Sequence, residues 1–459
     1  MPLRARLGVF GIRDFSLYWT GGLLSNVGTW LQNIAASAFM YQLTGSPLMV
    51  GLLNFAGFLP ILLFSLFGGV VSDRFDRRRV IVITHLASMS IALVVAALTF
   101  TEHVVPAVLI VAAFVSNTSY ALAKPSLTSL LPALVPRDRL AEATGLNLLQ
   151  FTGGQLGGSV LAAIIVATAG PAWAFLINAF TFLGPAVAVT LIRHVPPPDP
   201  KARKVSGIAS IRDGFGYIRA RNVLIGALLG TAATSALAET LRTLSPVLAT
   251  EAFGRPESAA GFLVASWGAG SAVAIVATGF LVRRFSQWRV AGVGAALHGA
   301  SAVALALAPT FLVGLGSAFL LGIGYSLAFT VFTARLQDES EDAYRGRVMS
   351  VHTLSHLGMR PFNALIAGAL ATALGVHLAL IVLALLGPLA LFAISVARRP
   401  SPVPTPRPAA LAAPPGSPAR SPASRRRPAG SCAVRSRATS ASGSPASCGS
   451  RGRSRAGRP

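Results

Sequence analysis

The stretch GGVVSDRFDRRRV, residues 68–80, stands apart from its surroundings. Six of the seven residues from Asp73 to Arg79 are charged, in a chain that is 53% hydrophobic and 12% charged. Long apolar runs lie on both sides. About 20 apolar residues in a helix, rising 1.5 Å each, cross a ~30 Å hydrocarbon core, so the flanks read as membrane helices joined by a charged turn. Arginines hold such a turn on the cytoplasmic side. That accounts for Arg74, Arg77, Arg78 and Arg79. It does not account for Asp73, because an acid at the end of an apolar run is costly without a partner.

Working outward, the apolar pattern gives twelve spans. The first six lie near 16–42, 47–71, 80–101, 104–124, 141–168 and 171–192, and the second six near 222–249, 257–282, 288–308, 310–334, 347–373 and 375–397. With a mean hydropathy of +0.64, the chain reads as an all-α membrane protein. Its expected parts are a six-helix bundle over 1–192, a cytoplasmic linker over 193–221, a second six-helix bundle over 222–397 and a basic tail over 398–459. The tail is Pro, Ser, Ala, Gly and Arg, a composition that cannot bury a core and reads as disordered. It holds thirteen arginines and no acid, which inflates the net charge of +24. No aromatic residue interleaves those arginines, which argues against nucleic-acid binding and leaves anionic lipid as their possible partner. Cys432 and Cys448 both sit in the tail and offer neither a disulfide framework nor metal-ligand spacing. The basic N-terminus leads into a full-length apolar segment, so it reads as a first helix rather than a cleaved signal.

Charge sets the expected orientation. Lys and Arg collect at Arg4–Arg13, Arg74–Arg79, Arg137–Arg139, Lys201–Arg212, Arg283–Arg289, Arg335–Arg347 and in the tail, while the alternate loops hold Arg255 as the main exception. All basic loops fall on one side only if the span count is even and correctly placed. The expectation is a multi-pass protein of the cell membrane with both termini cytoplasmic.

The two halves repeat. Gly69, Asp73, Arg74 and Phe75 recur as Gly279, Arg283, Arg284 and Phe285, and PRDRL at 136–140 recurs as YRGRV at 344–348. Gly45 and Gly51 flank the second span as Gly254 and Gly261 flank the eighth. A shared offset near 210 residues marks two bundles related by a parallel repeat. The opening stretch then resembles the G-x-x-x-D-R-x-x-R-R-R motif of major facilitator superfamily transporters, fitting at Gly69, Asp73, Arg74, Arg77, Arg78 and Arg79. SNVGTWLQ (25–32), LTGSP (43–47), LLPALVPRDRL (130–140) and RGRVMS (345–350) resemble the branch that holds enterobactin exporters and macrolide efflux proteins. The resemblance covers about residues 10–397. Three departures stand out. Arg283 replaces the motif acid in the second half. GGQLGG (153–158) resembles the G-P-x-x-G-G motif of proton-coupled exporters with Gly154 in place of Pro. The branch's Pro-x-Arg after the fourth helix is here Pro125, Ser126, Leu127, with Lys124 the nearest base.

The resemblance implies alternating access and a gating role for Gly69, Asp73, Arg74, Arg77, Arg78 and Arg347. In it Asp73 latches onto the start of the eleventh helix when the cavity opens outward, where a helix N-terminus and an arginine stabilise a carboxylate.

Ionisable residues at membrane depth are functional candidates in their own right. Glu239 and Arg242 share a helix face, either as a structural pair or as a proton-titrating site. His352, His356 and Arg360, spaced by four, form a stripe with Asn363 that should line the cavity or the bundle interior. His356 and Arg360 join Glu239 and Arg242 as proton-coupling candidates, His352 reads as solvated, and His298 as a packed histidine. Asn26, Gln32, Asn33, Asn54, Asn117, Gln150, Gln155 and Asn363 are substrate-pathway candidates. Asn147 and Asn178 belong to the same amide set, which serves either the pathway or interhelical bonding.

No P-loop, nucleophile or metal constellation occurs, so neither enzyme nor cofactor is expected. The expected function is secondary active export of amphiphilic drug-, macrolide- or siderophore-like molecules, by a monomer in the bilayer with protons as coupling ion. An uptake carrier on the same fold and a non-transporting sensor are the alternatives.

Overall fold

The computed structural model describes residues 8–193 and 215–399; the expected tail and most of the expected linker lie outside them. The described residues form helices and no strand. In chain order the first half comprises α1 (Arg13–Thr44), α2 (Pro47–Arg74), α3 (Arg77–Phe100), α4 (Pro106–Leu134), α5 (Leu140–Ala169) and α6 (Pro171–Leu191). The second half comprises α7 (Asn222–Ala252), α8 (Ala260–Arg284), α9 (Gln287–Ala306), α10 (Phe311–Asp338), α11 and α12 (Val376–Ala397). Helix α11 is compound: Asp342–Thr353, a π-helical turn at Leu354–Gly358, then Arg360–Leu374.

Eleven of these are long and apolar enough to cross a membrane. The twelfth, α1, has 32 residues but a polar set including Asn26, Gln32 and Asn33. Large apolar side chains point outward, with Val276 83% and Leu312 78% exposed. In water this would be an aggregation surface; in lipid it is the expected outer face.

The internal repeat is built into the caps. Asp76 caps the start of α3 by accepting from the Arg79 N–H at 2.9 Å, and Ser286 caps α9 by accepting from the Arg289 N–H at 3.3 Å. Left-handed glycines end α1 (Gly45, φ 59°) and α7 (Gly254, φ 58°), and others end α5 (Gly170) and α11 (Gly375). Helices α6 and α12 break at the same motif. Leu183-Gly184-Pro185 follows the break after Thr181, and Leu386-Gly387-Pro388 follows the break after Ala384. Each proline lacks the N–H that would bond to the residue four earlier, and those residues are Thr181 and Ala384.

The halves meet near one end of the molecule. The Leu48 N–H donates to Thr372 Oγ1 at 3.0 Å, and Tyr41 Oη donates to Glu251 Oε1 at 2.7 Å. A Cβ on Gly51 would lie 2.8 Å from the Ala364 carbonyl, one on Gly368 2.6 Å from the Pro47 carbonyl, and one on Gly261 would collide with the Ser159 carbonyl. Backbones this close need glycine. An apolar cluster containing Met40, Val50, Leu241, Leu244, Trp267 and Ala367 fills the seam. A second seam joins Leu31, Ile34 and Ala162 to Ala260 and Val264.

Candidate functional site

A cavity of about 230 Å³ lies between the halves. Its lining runs from Asn54 and Ser37 at mid-depth to Tyr18, Lys124, Thr128 and Ile192, next to the basic loops. The seam described above closes the opposite end.

The first half supplies a polar, uncharged wall with one lysine. Asn26, Gln32, Asn33, Asn54, Asn117, Asn147, Gln150 and Asn178 all line it. Several also tie helices together. The Asn178 amide donates to Gln32 Oε1 at 2.7 Å, Gln150 Nε2 donates to the Trp19 carbonyl at 2.6 Å, and Asn26 Nδ2 donates to Gln150 Oε1 at 3.4 Å. The amides are thus both lining and glue. Close approach of α5 to α1 makes room for this: a Cβ on Gly154 would stand 2.6 Å from Asn26 Cβ.

From the second half, Glu239, Arg242 and Arg360 reach the cavity. Glu239, on α7, is fully buried. Its Oε2 accepts from Arg360 Nε at 2.7 Å and from Arg242 Nη1 at 3.2 Å, while Oε1 and Arg242 Nε have no hydrogen-bond partner among the described residues. Aromatic faces cover the guanidinium groups. Arg242 lies 4.3 Å from the Trp267 ring centre and 5.7 Å from that of Trp30, and Arg360 lies 4.0 Å from that of Phe58. Trp30 and Phe58 belong to the first half, so the triad touches both bundles.

The π turn of α11 sets this geometry. One extra residue in the turn shifts the register between His352 and Arg360, so an expected stripe becomes two faces. Arg360 reaches the cavity. His356 turns into the second bundle, where Nδ1 lies 2.7 Å from Ser235 Oγ and the ring 4.7 Å from that of Phe329. His352, expected to be solvated, is buried, with Nε2 3.1 Å from Thr333 Oγ1. His298 is fully buried between the Leu321 and Thr234 carbonyls. Gln155 and Asn363 do not line the cavity. They lie in helix packing, with Gln155 Nε2 and Asn363 Nδ2 buried and unpartnered among the described residues.

The charged turn is open. Asp73 and Arg74 are exposed, and Asp73 makes no ion pair among the described residues. Arg347 stacks 5.2 Å from the Tyr344 ring centre instead. Arg78 Nη2 donates at 2.7 Å to the Ile192 carbonyl, where Arg13 also caps the end of α6 through the Leu191 carbonyl. Gly69 faces open space, whereas a Cβ on its neighbour Gly68 would lie 2.5 Å from the Ala121 carbonyl on α4. Gly68 is therefore the close-approach glycine here.

Sequence reasoning passed over Lys124 as a site. It is exposed to the cavity, 5.5 Å from the Tyr120 ring centre, and an isolated base at the end of an apolar span was the available signal. The aromatic residues around the triad carried no signal, because their spacing matches ordinary packing.

A family described as transmembrane secretion effectors matches residues 5–412. The uncharacterized MFS-type transporter YfiS of Bacillus subtilis (strain 168) is 26% identical over 383 residues, 78% of this chain and 87% of that protein. The enterobactin exporter EntS of Escherichia coli O1:K1 / APEC is 26% identical over 338 residues, 72% and 75% of the two chains. Among solved structures, a bacterial homologue of the iron transporter ferroportin in its inward-facing state superposes with a TM-score of 0.67 at 16% identity, covering 84% of this chain and 99% of that one. The chain belongs to the transmembrane secretion effector family of major facilitator superfamily membrane transporters.

Proposed function

We propose that this transporter exports amphiphilic small molecules by alternating access, in exchange for protons. One observation carries the reading: the cavity between the halves is open beside the basic loops and sealed at the opposite end. The positive-inside rule places the basic loops, both termini and hence the cavity mouth in the cytoplasm of a bacterial plasma membrane. This is the loading state of an exporter, and the likeness to an enterobactin exporter supports the outward direction. Cavity and seal come from one chain, so the transport unit in this reading is a monomer.

Glu239 is the proton-exchanging group of the proposal. Its carboxylate holds both guanidinium groups through a single oxygen. Protonation removes the charge behind both bonds and frees the arginines from the positions that shape the cavity floor. Protonation thereby changes the floor that the cargo meets, which links proton to cargo. In the outward-open state the cytoplasmic ends close and Asp73 meets the start of α11 near Arg347. Arg283 occupies the equivalent position in the second half and cannot take this part.

Efflux from proteoliposomes tests the reading. A panel of fluorescent amphiphiles should move against their gradient when a proton gradient is imposed, and stop with a protonophore. Glu239→Gln should abolish the gradient dependence. Flux indifferent to the proton gradient, or gradient-driven accumulation in the loading direction, would overturn it.

A further inference from the structure

We infer that the cargo is an organic anion, docked by its acid group against Arg242 and Arg360 and drawn in past Lys124. The inference rests on the transporter reading only in calling the bound anion cargo.

Its ground is the sign of the charge that lines the cavity. Among the described residues the lining holds three cations, Lys124, Arg242 and Arg360, and one carboxylate, Glu239. Glu239 is already shared by two arginines, so it has little left to offer a cationic cargo. The arginines, by contrast, are underused. Both bonds to Glu239 fall on one oxygen, from Arg360 Nε and Arg242 Nη1, and Arg242 Nε is buried without a partner. A guanidinium presents five N–H donors in a plane, so each keeps donors beyond the one Glu239 uses. A carboxylate, sulfonate or phosphate takes such donors two at a time.

Position reinforces the sign. Lys124 stands on the wall that leads toward the basic loops, exposed to the cavity and without an ion pair among the described residues. An anion entering from that side meets one cation at the mouth and two at the floor. A narrow, low-dielectric cleft lined by one sign of charge concentrates the opposite ion. At membrane depth the surplus charge has no compensation but water, and a bound anion supplies it. The rest of the wall describes the cargo's body. Trp30 and Phe58 offer aromatic faces, while Asn33, Asn54 and Asn117 offer amides. Glu239 Oε1, buried and unpartnered, accepts a bond from a hydroxyl or amide beside the acid group. The site suits an aromatic or amide-rich acid and disfavours aminated amphiphiles of the same size.

Equilibrium dialysis of the purified full-length protein in nanodiscs tests this with three probes on one ring system: naphthalene-2-carboxylate, naphthalene-2-carboxamide and 2-naphthylmethylammonium. The carboxylate should bind at least tenfold more tightly than the amide, with the ammonium weakest. Arg360→Gln should bring the three within about threefold of one another. Lys124→Gln, which breaks no ion pair among the described residues, should reduce the carboxylate preference severalfold and keeps the test valid if Arg360→Gln does not fold. Ammonium binding as tight as carboxylate, no carboxylate binding at millimolar concentration, or an undiminished carboxylate preference in Lys124→Gln would overturn the inference. A preserved charge order without any flux would count against the exporter reading instead.

Discussion

Gly368→Val should push the protein out of the state described here. A Cβ at Gly368 would stand 2.6 Å from the Pro47 carbonyl and 3.0 Å from Gly51 Cα, both backbone atoms that cannot rotate away. Carbon needs about 3.4 Å or more in such contacts, and valine adds two methyl groups beyond the Cβ. Overpacking of this kind costs about 2–3 kcal/mol where the seam is closed and nothing where α2 and α11 have parted. At 1.4 kcal/mol per decade, the ratio of sealed to parted molecules falls roughly 30- to 140-fold. Cysteine labelling reads the shift, in a background with Cys432 and Cys448 replaced by serine. Thr128→Cys, on the cavity wall, reports the open mouth, and Val264→Cys, fully buried in the second seam, reports the seal. In nanodiscs a hydrophilic maleimide should label Thr128→Cys readily and Val264→Cys slowly. Adding Gly368→Val should slow the first and speed the second. A folded, monodisperse Gly368→Val protein in which Val264→Cys stays as protected as before would refute the reasoning, because the halves would not be moving as units about this seam.

Glu239→Gln keeps an acceptor but loses two charge-assisted bonds, so thermal unfolding in detergent should show about 2–3 kcal/mol less stability along with loss of coupled transport. Asp76→Ala and Ser286→Ala each remove a helix N-cap and should each cost about 1 kcal/mol by the same measurement, with transport retained in what folds. Asp73→Asn should leave the stability of the sealed state unchanged, because Asp73 has no ion pair among the described residues, yet shift spin-label distances between α2 and α11 toward the open-mouthed form. Tyr41→Phe, which removes the bond to Glu251, should raise Val264→Cys labelling by about three- to tenfold, matching the ~1 kcal/mol of one hydrogen bond.

Helix number, order and repeat were legible because lipid imposes them: apolar length gives the spans and arginine the loops. The predicted 47–71 and 80–101 correspond to Pro47–Arg74 and Arg77–Phe100, the differences being the charged ends that extend past the hydrocarbon. The breaks in α6 and α12 were equally available in Leu-Gly-Pro, since each proline silences a particular carbonyl. Two features were out of reach. The π turn of α11 has no sequence signature, so the His352–His356–Arg360 spacing promised a single stripe that the structure divides. The meeting of Glu239 with Arg360, 121 residues away, depends on how α7 packs against α11. Both were candidates for one role, but nothing local joined them. Gln155 and Asn363 show the complementary error, for an amide at membrane depth satisfies helix packing as readily as it lines a cavity.

The cavity divides its chemistry unevenly, with the amides in one half and the coordinated charges in the other. Natural variation can therefore act on the two separately. Exchanging amide, hydroxyl and aromatic residues of α1, α2, α4 and α5 would remodel the shape of what is carried while the ionic floor on α7 and α11 stays in place. Chimeras that join first halves from several relatives to this second half should inherit preference for the uncharged body of the cargo from the former, and charge preference and energy coupling chiefly from the latter.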